Sequence, residues 1–78
     1  MINTQSIQQA ASQQELNDLI ERAAYDRNCE VDESMTYLEQ ADFLRQEAER
    51  DQGNGYGKMI ELAEILEAAE TKWFELGK

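Results

Sequence analysis

The stretch Gly53-Asn54-Gly55-Tyr56-Gly57-Lys58, followed by MIELAEILEAAETKWFEL over 59–76, decides the fold. At 100° per residue, Met59, Leu62, Ala63, Leu66, Ala69 and Trp73 fall on one broad face, with Ile65 and Leu76 at its edge. That period predicts a helix from about Lys58 to Leu76, and Gly77 stands where a helix stop belongs. Three glycines within five residues just before it predict a chain reversal at 53–57.

Working back from the reversal, Tyr37, Leu38, Ala41, Leu44 and Ala48 form a second apolar stripe, which predicts a helix from about Glu33 to Arg50. Phe43 lies off that stripe, among Glu39, Gln40, Gln46, Glu47 and Arg50. Further back, Leu16, Leu19, Ile20, Ala23 and Ala24 predict a helix that starts near Ser12. Ser12-Gln13-Gln14-Glu15 fits a capping box, in which each end residue bonds the other's backbone amide.

Between these two helices, 28–34 has two readings. Asn28, Cys29, Val31, Asp32 and Ser34 are mediocre helix formers, and Asp32 or Ser34 fits a new N-cap. Against a break, the region lacks Gly and Pro, and the stripe continues in phase through Val31, Leu38, Ala41 and Ala48. An unbroken helix over 13–51 would be about 58 Å long at 1.5 Å per residue, which favours two helices. Residues 1–12 read as a polar, Gln-rich tail or weak helix, because Ile7 and Ala11 are out of phase with Leu16, Ile20 and Ala23.

No stretch alternates as a strand does, so the expected fold is all-α: a small antiparallel bundle of two to three helices in one domain over 13–78. There is no repeat of 20 to 50 residues and no sign of a second domain.

Composition narrows the function classes. The 78 residues hold 17 Asp plus Glu against 7 Lys plus Arg, a net charge of −10, with no His, no Pro and one Cys. Without His, acid-base chemistry near neutral pH needs a carboxylate of strongly raised pKa, so a conventional enzyme is disfavoured. A single Cys29 makes no intrachain disulfide, which suits a reducing cytoplasm. The opening residues have neither the basic start nor the apolar run of a signal peptide, and nothing approaches a membrane span, so a soluble, cytoplasmic chain is expected.

A charge of −10 repels nucleic acid and anionic lipid and speeds encounter with basic surfaces, which belong mainly to proteins that themselves bind nucleic acid.

Three site motifs fail on spacing. Gly57-Lys58 imitates a P-loop, but Gln52 stands where its first glycine belongs and Met59 where Ser or Thr belongs. From Asp51 onward, Gly53 and Gly55 replace the oxygen ligands of a calcium loop. Glu64 and Glu67 lack the His of a di-iron bundle. No cofactor or metal is expected.

The remaining candidates are surface residues. Glu61, Glu64 and Glu67, joined by Glu75, form an acidic stripe opposite Leu62, Leu66 and Trp73, with Lys72 the only base in that helix able to offset them. With Asp42, Glu47, Glu49 and Asp51 they read either as a solvated face or as carboxylates presented to a basic groove. Phe43 and Tyr56 read as apolar anchors or as residues covered by other parts of the chain, and Trp73 reads as core.

In size, charge and helical segments such as QADFLRQEAERD over 40–51 and ELAEILEAAETKWFELGK over 61–78, the chain resembles phage-encoded inhibitors of host defence, including anti-CRISPR proteins. The resemblance implies a host-cytoplasmic, non-enzymatic inhibitor of a CRISPR effector or nuclease, in some cases a nucleic-acid mimic, and assigns no individual residue. LEAAETKWFEL over 66–76 also resembles the end of the coiled coil of some ABC-F ATPases, without the basic residues such a coil carries.

Two functions follow as expectations. One is an inhibitor or adaptor whose acidic surface meets a basic nucleic-acid-binding protein. The other is a structural module, either a self-associating bundle such as a homodimer or a chaperone-like partner of another helix. A carboxylate-only hydrolase comes last, since no pairing of carboxylates supports it.

Overall fold

Four helices form in the computed structural model, which describes residues 2–32, 34–50 and 56–77: α1 (Thr4–Gln8), α2 (Gln13–Asp26), α3 (Tyr37–Arg50) and α4 (Tyr56–Leu76). The protein is an all-α bundle built around α4, on which α1, α2 and α3 each pack. Leu62, Ala63, Ile65, Leu66 and Ala69 are buried on α4, an arc broad enough to serve all three neighbours. Ile65 therefore lies in the core rather than at its edge. Fully burying one such Leu or Ile contributes about 1.5–3 kcal/mol.

Both longer partners run antiparallel to α4. Gln13 Nε2 donates to Trp73 O (3.2 Å) at one end of α2, and Arg27 meets Glu61 just past the other. On α3, Leu38 N donates to Glu70 Oε2 (3.3 Å) and Arg45 meets Glu67. Thus α2 and α3 are parallel to each other, with their backbones set apart on α4 and their side chains meeting where Tyr37 reaches Asn17. The connection after α2 must carry the chain back along α4, from near Glu61 to near Glu70, roughly 14 Å at helical rise. The break therefore falls where two helices were expected, although the apolar phase continues across it.

Local chemistry explains both edges of the break. α2 ends in a Schellman motif: Cys29 N donates to Ala24 O (2.9 Å) and Asn28 N to Tyr25 O (3.1 Å). Asn28 takes the left-handed conformation this requires, with φ of 56°. α3 starts at Tyr37, four residues later than Glu33, because a capping box sits at Thr36-Tyr37-Leu38-Glu39. Glu39 N donates to Thr36 Oγ1 (3.1 Å), and Thr36 N donates to Glu39 Oε1 (3.2 Å). Asp32 caps no helix; its carboxylate accepts from Ser34 N and Ser34 Oγ in a turn, which holds its pKa below the usual aspartate value.

At the start of α2, Ser12 caps as expected, accepting from Glu15 N (3.1 Å), but Glu15 accepts from Ala11 N (3.3 Å) instead of the serine amide. Before it, α1 is a short helix with an Asn3–Ser6 capping box, and Ile7 is 0 % exposed. Ile7 is out of phase with α2 because it belongs to a separate helix that turns the same side chain onto α4. The bundle so has four helices where two to three were expected. Leu38, expected in the core, is 48 % exposed, since Gln40 takes a buried position on α3.

Of the reversal expected at 53–57, residues 53–55 lie outside the described residues, as does Asp51, whereas Tyr56 and Gly57 already belong to α4, which starts two residues before Lys58. At the far end of α4, Gly77 holds no left-handed φ; a Cβ there would approach Gln13 Nε2 to 2.9 Å, so the glycine leaves room for that side chain.

Candidate functional site

The expected acidic stripe divides around α4. Successive glutamates at i, i+3 shift by 60° around a helix, so Glu61 and Glu67 point to different flanks. Glu61 Oε2 accepts from Arg27 Nε (3.2 Å) beside α2, and Glu67 Oε1 accepts from an Arg45 guanidinium nitrogen (2.6 Å) on α3. Glu64 stays exposed between them, and Glu75 lies 3.8 Å from Lys72. Arginines on other elements offset the row more than Lys72 does, a pairing that a wheel of one helix does not display.

Asp42, Glu64 and Glu67 do gather around Arg45. The hydrogen bond to Glu67, and beyond it the charges of Glu67, Glu64 and Asp42, raise the pKa of the guanidinium. Among the described residues, Asp42 and Glu64 have no ion pair within 4.0 Å. Glu47 pairs along its own helix with Arg50 (3.3 Å). Phe43 is 54 % exposed on α3, and Tyr56 is exposed at the first residue of α4.

A groove with aromatic walls lies elsewhere. Because α2 and α3 are held apart on α4, an open groove of about 590 Å³ runs between them, closed at one side by the returning connection. Ile20, Val31 and Met35 give it aliphatic surface, and Tyr37, Trp73 and Phe74 give it aromatic surface. The Tyr37 and Trp73 rings meet edge to face, centroids 5.8 Å apart at 86°, so Trp73 flanks the groove at the border of the core rather than sitting in its centre.

Polar groups share the groove with this apolar surface. The Tyr37 hydroxyl donates to Asn17 Oδ1, tying α3 to α2 across the opening. Burial, and then the Glu70 and Glu21 carboxylates, push that hydroxyl up to about 12. Gln40 is 6 % exposed; its Nε2 donates to Met35 O (2.9 Å), while its Oε1 is buried with no partner among the described residues. An unsatisfied buried acceptor costs about 1–3 kcal/mol. Sequence reading did not single out Glu21, Gln40 or Glu70; the available signal was Gln40 itself, a glutamine one residue before Ala41 and four before Leu44 on the buried side of α3.

Cys29 is half-buried, donates its thiol to Arg27 O (3.4 Å) and is pushed up in pKa by burial, all of which disfavour a reactive thiolate. Among the described residues, no group of three or more Cys, Asp or Glu is placed to hold a metal ion, and no helix is long and apolar enough to cross a membrane. No protein-family model, curated protein or solved structure matches the chain.

Proposed function

We propose that this chain is a non-enzymatic inhibitor or adaptor that docks an acidic helical surface on a basic, nucleic-acid-binding protein such as a CRISPR effector or a nuclease. The observation that carries the reading is the charge surplus of −10 together with exposed carboxylates at Asp42 and Glu64 that internal arginines leave without a direct ion pair. Long-range attraction to a basic surface raises the association rate, and the complex weakens as salt screens it. In this reading Glu61 and Glu67 act chiefly on the fold, and Asp42, Glu64 and Glu75 face the partner, with Phe43 and Tyr56 as apolar contacts.

The test is capture on the tagged protein at low and high salt, with partners identified by mass spectrometry. The expected result is one basic nucleic-acid enzyme, released by salt and lost from the Asp42→Lys, Glu64→Lys double variant. Capture that persists through both changes overturns the acidic-surface reading. A second reading, self-association, is favoured by the exposure of Leu38, Phe43 and Phe74. Sedimentation that shows a concentration-dependent dimer, abolished by Phe43→Ser, selects it.

A further inference from the structure

We propose that the groove between α2 and α3 receives an arginine side chain of the protein partner. Three independent features converge on a guanidinium. The first is the wall: Tyr37 and Trp73 offer ring surface on which a flat, weakly hydrated cation stacks. The second is charge: Glu21 and Glu70 line the same groove, and neither forms an ion pair within 4.0 Å among the described residues. The third is Gln40, which lines the groove and is nine-tenths buried; its enclosed Oε1 has no donor among the described residues and comes within reach of an occupant when the wall shifts to admit it.

Other occupants fit less of this. A phosphate or carboxylate ligand meets two carboxylates and no cation in the lining. A purely apolar side chain leaves both carboxylates and the Gln40 acceptor without a partner. A lysine ammonium is strongly hydrated and lacks the planar fork that satisfies an acceptor and a carboxylate together. Arginine brings five donors, a flat face for the rings and an aliphatic stem for Ile20, Val31 and Met35. The Glu70 carboxylate is held in place by accepting from Leu38 N at the start of α3, so part of the rim is ordered before binding.

The inference takes its occupant from the basic partner proposed above, but the groove is tested by itself. Trp73 is the only tryptophan of the chain, so its fluorescence reports occupancy. A blocked five-residue peptide with one central arginine is titrated, beside peptides carrying citrulline or lysine at that position. Citrulline keeps the shape and most donors and removes the charge. The arginine peptide is expected to give a saturable change, and the citrulline peptide to bind about tenfold more weakly.

Glu21→Gln and Glu70→Gln are expected to weaken the arginine peptide several-fold while the circular dichroism stays unchanged, since Gln at 70 still accepts from Leu38 N. Gln40→Met is expected to do the same, and a shift of the Gln40 side-chain amide resonance on binding reports that contact without any substitution. Asp42→Lys with Glu64→Lys leaves peptide binding intact, because those residues do not line the groove. Equal binding of the arginine and citrulline peptides, or no saturable change below about 10 mM, overturns the groove assignment, whatever the capture experiment returns. A peptide that binds as expected supports it even if no basic partner is captured.

Discussion

Two arginines reach two glutamates of α4 from opposite flanks, and the resemblance between them ends there. Arg27, just past α2, has a side chain only 4 % exposed; besides Glu61 it donates to Ala23 O (3.1 Å) and Ile2 O (2.9 Å). It therefore joins the N-terminal segment, α2 and α4 in one group. Arg45, on α3, pairs with Glu67 at a shorter distance, but both side chains are more than a third exposed and Glu67 is its only hydrogen-bond partner among the described residues. Distance ranks the two pairs one way and burial the other. Burial decides, because water screens the α3 pair while the α2 guanidinium has no solvent to replace its three acceptors.

The largest expected effect breaks the buried side of this comparison. Arg27→Met lowers stability by about 3 kcal/mol, since Glu61 and two backbone oxygens lose their donor together; urea unfolding monitored by circular dichroism measures it. A loss below that of Arg45→Met would invert the ranking. Next comes the backbone that delivers Arg27 to its place. Asn28→Val puts a β-branched residue at φ of 56° and costs about 1–3 kcal/mol, whereas Asn28→Gly is neutral or stabilising.

On the exposed side, Arg45→Met costs less than about 1 kcal/mol at low salt, and the difference from the parent chain vanishes near 1 M salt. The smallest effect sharpens the α3 flank at high pH. Tyr37 ionises at about 12 in the folded chain, above the ordinary tyrosine value of 10. A raised folded pKa means that its contribution is complete below pH 10 and is lost as pH rises towards 12. Tyr37→Phe removes that added alkaline sensitivity, and ultraviolet titration of the parent chain shows a tyrosine step near 12 that the variant lacks.

The core helices were legible where one helix wrote its own pattern. Leu16, Ile20 and Ala23 on α2, and Leu62, Leu66 and Ala69 on α4, are buried as their spacing predicts. The break before α3 was ambiguous because its signals compete: the stripe runs on in phase, while Asn28 and the Thr36–Glu39 box end and restart the helix locally. That box was readable, as was the preference of Asn for a left-handed position. The burial of Ile7 was not, for it depends on how a five-residue helix turns onto a partner more than fifty residues away.

The same limit hid the groove. Glu21, Gln40, Glu70 and Trp73 come from three helices and share no local spacing, so only the antiparallel packing on α4 brings them together. The acidic row was visible as composition, but its division was not, because Arg27 and Arg45 reach it from other elements.

Every other helix rests on α4, and α4 is the last of the four in chain order. On the ribosome this sets a schedule. At about 5–20 residues per second, the 21 residues of α4 take about one to four seconds to add. Through that interval α2 and α3 lack the helix on which both pack, and α1 has only its smaller contact with α2. The nascent chain thus passes through a sticky stage, and a ribosomal pause within α4 prolongs it, whereas a pause before α2 does not.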